Sequence, residues 1–207
     1  MTFRKKLENF FYYYKWHTLA AVFIIAIVGF SVHSSMTSYE PDLNMVYVSD
    51  KPMASDTSER FEKSLKSASL VSDVNGDGKV RFLFEPMVMS MDSENADYTL
   101  AQKLQVYMFA GSQSVMFLHQ YVVEDYDGAF EDMSSFAGDR KTVVGKEGYV
   151  TAVSVEGSKY LESLGINTEN LYITVHRRTE KDIKKGKLDK EYELAHKIVK
   201  FVLEQEQ

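Results

Sequence analysis

The chain has 207 residues, 44% of them hydrophobic and 13% aromatic, with a formal net charge of -6 and no cysteine. This composition describes a folded protein, not a disordered one. It leaves no disulfide framework, no lipid-anchored lipoprotein and no cysteine nucleophile. Residues 1–17 carry four basic residues and one Glu and residues 18–36 carry no charge, so the remaining chain carries -9. An acidic bulk of that size argues against a nucleic-acid partner and against broad adhesion to anionic lipid.

In chain order, the first segment is a basic and aromatic flank over residues 1–17, with Arg4, Lys5, Lys6 and Lys15. Residues 18–36 follow as an uncharged run containing Leu19-Ala20-Ala21-Val22-Phe23-Ile24-Ile25-Ala26-Ile27-Val28-Gly29-Phe30. With its polar ends at the interface this run meets the roughly 20 residues that a bilayer crossing needs. Tyr12, Tyr13, Tyr14 and Trp16 form an interfacial aromatic belt on its N-terminal side, and Lys15 snorkels toward the headgroups. Positive charge stays in the cytoplasm, so the expected topology is N-terminus in and C-terminal domain extracellular. A buried core helix explains neither the belt nor the charges. A cleaved signal peptide is the rival, with a poor small-residue site at Val32 to Ser34; the long aromatic flank favours an uncleaved anchor. Either way the rest of the chain is exported.

Residues 37–42 read as a linker and 43–207 as one extracytoplasmic domain, long enough for a real core. Leu43 to Val48 is a strand candidate, rich in β-branched and aromatic residues. Asp56 and Glu59 have the spacing of a reciprocal helix cap, and Phe61, Leu65 and Ala68 follow on one helical face. Asp73 to Gly78 breaks the chain before a strand at Val80 to Phe84, which Pro86 ends or places at an edge. A helix over about 96–110 puts Leu100, Leu104 and Tyr107 on one stripe, with Gly111 as its stop. Ser114 to Leu118 is an apolar strand, and a shorter helical piece spans about Gln120 to Tyr126. Strands are expected at Tyr149 to Val155 and Leu171 to His176, and a closing helix at Leu188 to Leu203. The β-α-β-α-β order predicts an α/β fold: a transmembrane helix plus one mostly parallel sheet with helices on both faces.

The opening segment from Lys6 to Thr18, Lys-Leu-Glu-Asn-Phe-Phe-Tyr-Tyr-Tyr-Lys-Trp-His-Thr, resembles that of uncharacterised membrane-anchored proteins of Gram-positive, clostridia-type bacteria. The likeness continues through Asn75-Gly76-Asp77-Gly78. Residues 43–136 are similar to the first lobe of extracellular solute-binding proteins. That likeness rests on the strand-helix-loop-strand order, Gln102-Lys103-Leu104, Ala110-Gly111 and Phe130-Glu131-Asp132-Met133. The resemblance implies a periplasmic-binding-protein-like fold, here reduced to one lobe because Gly138 to Leu171 is too short for a second.

Several groups of residues have the chemistry for a site. Asp73, Asn75 and Asp77, with the Lys79 carbonyl, have the alternating oxygens of a calcium loop. The twelfth position of that pattern is Phe84, not Glu, so the loop is no EF-hand; a tight Asn-Gly/Asp-Gly turn bonding its own backbone is the alternative. Met87, Met89 and Met91 alternate as thioether ligands for Cu(I) would, and equally as an apolar strand face. His17, His33, His119, His176 and His196 show no zinc-ligand spacing. Glu124-Asp125-Tyr126-Asp127 and Glu131-Asp132 group carboxylates, which either serve acid-base chemistry or form a solvated loop. His176 to Lys190 is a basic island with seven Lys/Arg against three acids. It is suited to an anionic surface or to plain solvation.

Together these features indicate a membrane-anchored, non-enzymatic binding or interaction module. Its partners are the bilayer and either an envelope protein or a small solute. A small ligand is expected in a pocket at the strand C-termini near Tyr121 and Glu124. A one-lobed transporter-linked solute receptor and an envelope hydrolase are the alternatives.

Overall fold

The computed structural model describes residues 3–37, 41–70, 72–89, 97–178 and 187–205. The chain forms two compact units, Met1–Glu40 and Pro41–Gln207. The first contains one continuous helix, α1 (Phe3–Thr37). Its stretch Tyr14–Ser31 is long and apolar enough to cross a membrane, and none of it is buried within the protein. At 1.5 Å per residue those 18 residues rise about 27 Å, close to a hydrocarbon core. Tyr12, Tyr14, Lys15 and Trp16 are exposed on the same helix; the side chain of Tyr13 lies outside the described residues.

The second unit is α/β. In chain order its elements are β1 (Leu43–Ser49), α2 (Thr57–Ser67), β2 (Phe82–Val88), α3 (Tyr98–Ala110), β3 (Val115–His119), α4 (Gln120–Asp125) and α5 (Ser134–Ala137). They continue with β4 (Thr142–Val144), β5 (Val150–Ser154), α6 (Lys159–Ser163), β6 (Leu171–Val175) and α7 (Lys187–Glu204). The strands form one sheet in the order β2-β1-β3-β6-β5-β4. β1 pairs in parallel with β2 and β3. β2 and β3 lie on opposite sides of β1, so right-handed crossovers send α2 and α3 to opposite faces. Phe61 and Leu65 of α2 accordingly join one core, and Leu104 and Met108 of α3 the other.

The expected mostly parallel sheet is corrected to a mixed one. β3 to β6, β6 to β5 and β5 to β4 are all antiparallel. β4 and β5 are joined by a short turn, too short for the crossover that parallel pairing needs, and the connection that carries the five-residue α6 returns to the end at which it left.

Both faces are covered. On the first face Leu43, Met45, Tyr47, Val115, Phe117 and Ile173 pack against α2, α6 and α7. Phe61, Phe84 and Phe117 stack edge-on or tilted there with centroids 5.2–5.8 Å apart, an arrangement favoured by ring quadrupoles. α7 packs back on the sheet through Ala195, Ile198, Val199 and Val202. On the second face Val46, Val48, Met116, Leu118 and Met87 pack against α3 and α4. β2 is an edge strand that continues past Pro86 to Val88, where the missing N–H costs no sheet bond.

Two local expectations change. Asp56 sits at the start of α2 but makes no side-chain cap bond; Arg60 Nη2, one turn on, captures its carboxylate at 2.7 Å. Asp42, placed in the linker by sequence, is instead structural. It is 1% exposed. Its Oδ1 accepts from the N–H groups of Val74 (2.7 Å) and Asn75 (3.1 Å), and its Oδ2 from that of Arg81 (2.8 Å). These bonds clamp the start of β1 to the loop that precedes β2. Asp42→Ala leaves three donors without their charged acceptor, so a soluble piece of residues 38–207 is expected to lose about 3 kcal/mol in urea melts. A loss under about 0.5 kcal/mol, the range of an ordinary surface substitution, would refute the clamp.

Candidate functional site

Neither Tyr121 nor Glu124 lines the hollows described below. Both lie on α4, where Tyr121 turns toward the second core and Glu124 toward solvent. Burial, helped by Asp125 and Asp50, raises the Tyr121 phenol to about 12. Glu124 Oε1 accepts from Gln120 Nε2 at 2.8 Å. The His119 ring lies 5.1 Å from that of Tyr121, and its buried Nδ1 has no partner among the described residues. The depression at this end of the sheet, about 650 Å3, is lined by Pro52, Glu156, Glu162, Thr168 and Glu169 among others.

Asp73 to Lys79 forms a closed turn. Asp73 Oδ1 accepts from the N–H groups of Gly76 (2.6 Å) and Asp77 (3.1 Å), and Oδ2 from that of Gly78 (2.8 Å). Asn75 Oδ1 accepts from Asp77 N–H at 2.9 Å, and Asp77 Oδ1 from Lys79 N–H at 2.8 Å. Gly76 and Gly78 adopt φ near +77° and +76°, which glycine does at no steric cost. Arg81 Nη1 occupies Asp77 Oδ2 at 2.7 Å. The Lys79 N–H and then Arg81 hold the Asp77 carboxyl below its usual range. Among the described residues no three His, Asp or Glu side chains are grouped for a metal. Arg81 and the backbone N–H groups of the turn thus engage oxygens of Asp73, Asn75 and Asp77 that a cation would also use.

The other groups disperse. Met87 is buried in the second core and Met91 lies outside the described residues. Asp127 Oδ2 accepts from Lys146 N–H at 2.8 Å, and that bond chiefly lowers its pKa. Asp132 accepts from Ser134 N–H at 2.9 Å. Of the basic island, residues 179–186 lie outside the described residues.

Concave surface with charged walls occurs instead where β1 begins and β6 ends. The chain leaves β6 through His176, Arg177 and Arg178, of which His176 lies against the end of α3. His176 Nε2 is 2.8 Å from the Met108 carbonyl. Gly111, at φ +64°, lets the His176 ring approach to where a Cβ would be 3.1 Å away. Arg178 stacks on the Tyr192 ring at 3.9 Å and donates to Asp189 at 2.6 Å. Arg177 reaches Glu147 (3.3 Å) and the Tyr149 hydroxyl (3.4 Å). Three adjoining hollows share these two arginines. The first, of about 450 Å3, is walled by Met108, Phe109, Tyr126 and Ala129 together with the carboxylates Asp125 and Asp127. The second, of about 260 Å3, is walled by Glu131, Asp132, Tyr149 and Tyr192. The third, of about 20 Å3, reaches inward to Gln113.

Beneath the second hollow the Tyr192 hydroxyl donates to Glu131 Oε2, which also lies 2.9 Å from His196 Nε2. Burial alone would raise the Glu131 carboxyl, but the bonds from His196 and Tyr192 bring it below its usual value. Burial, with Glu131 alongside, pushes the Tyr192 phenol up. This network braces the ring on which Arg178 rests.

No family model, curated protein or solved structure matches the chain. In the sequence His176-Arg177-Arg178 is only the start of a charge run. Its pairing with Gly111, Gln113 and Tyr192 comes from the antiparallel β3–β6 pairing, which no local pattern announces.

The self-bonded geometry of the Asp73–Lys79 turn predicts the same melting temperature in EDTA and in millimolar calcium. A dose-dependent rise that is lost in Asp77→Ala would make the turn a calcium loop.

Proposed function

We propose that the protein is a single-pass, membrane-anchored binding module. Its N-terminus is cytoplasmic and its α/β domain extracellular, and it captures a small molecule with an apolar body and an anionic group. The observation that carries this reading is the 450 Å3 hollow walled by Met108, Phe109 and Tyr126, with Arg177 and Arg178 on one edge and Asp125 and Asp127, the latter held by the Lys146 N–H, also in its lining. Volume in this range, apolar walls and a few polar groups at the rim are the usual properties of a small-molecule site. A guanidinium offers a planar fork to a carboxylate or phosphate. Arg178 is already oriented by its stacking on Tyr192, so little is lost in ordering it on binding. The basic and aromatic flank of α1 supports the orientation.

A one-lobed, transporter-linked solute receptor is the same reading with a transporter as partner. It draws support from the β2-β1-β3 parallel half, while the antiparallel half departs from the lobe that the sequence resembles. A second reading, docking of an envelope protein, has its own observation. Tyr98, Val106 and Phe109 are exposed along the outer side of α3, and apolar side chains so placed favour a protein contact. Photo-crosslinking from position 98 in cells tests it.

Calorimetric titration of the full-length chain in nanodiscs with 3-phenylpropionate tests the first reading. Saturable binding is expected, weakened at least tenfold in Arg178→Ala. No saturable binding, or equal affinity in the variant, would overturn it.

A further inference from the structure

We propose that Asn75 is a self-modification site: its turn promotes attack of the Gly76 nitrogen on the Asn75 side-chain amide, converting Asn75 to aspartate and isoaspartate.

The groups that this reaction needs are already assembled. The nucleophile is the Gly76 nitrogen, whose N–H donates to Asp73 Oδ1 at 2.6 Å. That carboxylate is a base within hydrogen-bond reach of the proton that has to leave. The electrophile is Asn75 Cγ. Negative charge develops on its Oδ1 during attack, and this oxygen already accepts from the Asp77 N–H at 2.9 Å. A fixed donor at that distance stabilises an oxyanion. Gly76 has no side chain to obstruct the approach, and nothing lies within 4 Å of where a Cβ would be. Asp42 Oδ1 accepts from the Asn75 N–H at 3.1 Å and holds the residue from its other side. Groups held in place in this way avoid much of the entropic cost of meeting.

As the bond from Gly76 N to Asn75 Cγ forms, the Gly76 proton passes to Asp73. The bond from Cγ to Nδ2 then breaks, and Nδ2 takes up that proton and leaves as ammonia. The product is a succinimide, and Gly76 is exposed to the solvent water that opens it. Water that breaks the new bond at Cγ gives aspartate. Water that breaks the original peptide bond to Gly76 gives isoaspartate, in which the main chain runs through Cβ and Cγ. Isoaspartate lengthens the main chain between the Asn75 and Arg81 N–H groups that Asp42 binds, so the change bears on the clamp at the start of β1.

The same turn contains its own contrast. The Gly78 N–H donates to Asp73 Oδ2 at 2.8 Å, so Asp77-Gly78 has the same base and an equally open glycine. Its electrophile differs. The Lys79 N–H and then Arg81 hold the Asp77 carboxyl below its usual range, so it is ionised at neutral pH. An ionised carboxylate repels the nucleophile and has no neutral group to expel.

Full-length protein in detergent micelles is incubated at neutral pH, either folded or held unfolded in urea. The tryptic peptide of residues 67–79 is then followed by mass spectrometry, with isoaspartate located by fragmentation. Conversion at position 75 is expected to run several-fold faster in the folded protein, with position 77 unchanged. Asp73→Asn keeps an acceptor for the Gly76 N–H but no base, and is expected to slow the folded protein to the rate in urea. Equal or slower conversion in the folded protein overturns the inference, as does conversion at position 77 at the same rate or an unchanged rate in Asp73→Asn. If that variant melts below the parent protein, the comparison of folded with unfolded chain decides alone.

Discussion

The domain depends on one strand, β1, being buried on both faces directly after the tether. Leu43, Met45 and Tyr47 enter one core while Val46 and Val48 enter the other. A strand apolar on both sides has to be central, with neighbours on both edges and helices on both faces. β2 and β3 supply the edges, and the fixed hand of their crossovers supplies α2 and α3 to opposite faces. Asp42 fixes where this strand starts by binding three backbone N–H groups of the loop ahead of β2. The buried carboxylate therefore ties the first residue of the central strand to the loop ahead of its edge neighbour.

The antiparallel half then decides where the groove lies. β6 runs against β3, so it ends where β3 begins. That places His176, Arg177 and Arg178 beside Gly111 and Gln113, at the end of the sheet where Asp42 enters. Had β6 been parallel, the arginines would emerge among the strand C-termini near Tyr121. The antiparallel β3–β6 pairing thus sets the location of the groove. The first turn of α7 contributes Asp189 and Tyr192, which hold Arg178, while Glu131 and His196 hold Tyr192. The guanidinium therefore rests on a braced ring.

What the sequence disclosed follows the range of the forces involved. The long apolar N-terminal helix, the strands beginning at Leu43 and Leu171, and the last helix are legible because hydrophobic patterning is local. Gly111 was legible as a helix stop for the same reason. The Asp56 cap failed because Arg60, four residues on, competes for the carboxylate. Asp42 was hidden because its partners lie 32 to 39 residues away. The sheet was read as mostly parallel because β-α-β order says nothing of the short return after β5. Of the groove, the charge run was visible but its setting was not.

An exposed groove of this kind serves a ligand outside the cell only if the domain stands on the far side of the bilayer from residues 1–17. The chain lacks cysteine, so single introduced thiols report topology without background. Glu156→Cys, on the exposed turn after β5, and Lys6→Cys, ahead of the span, are each treated on intact cells with a membrane-impermeant maleimide. Labelling at position 156, with position 6 protected until the cells are permeabilised, is the predicted result. Labelling at position 6 alone, or at neither position before permeabilisation, would contradict an anchored extracellular domain.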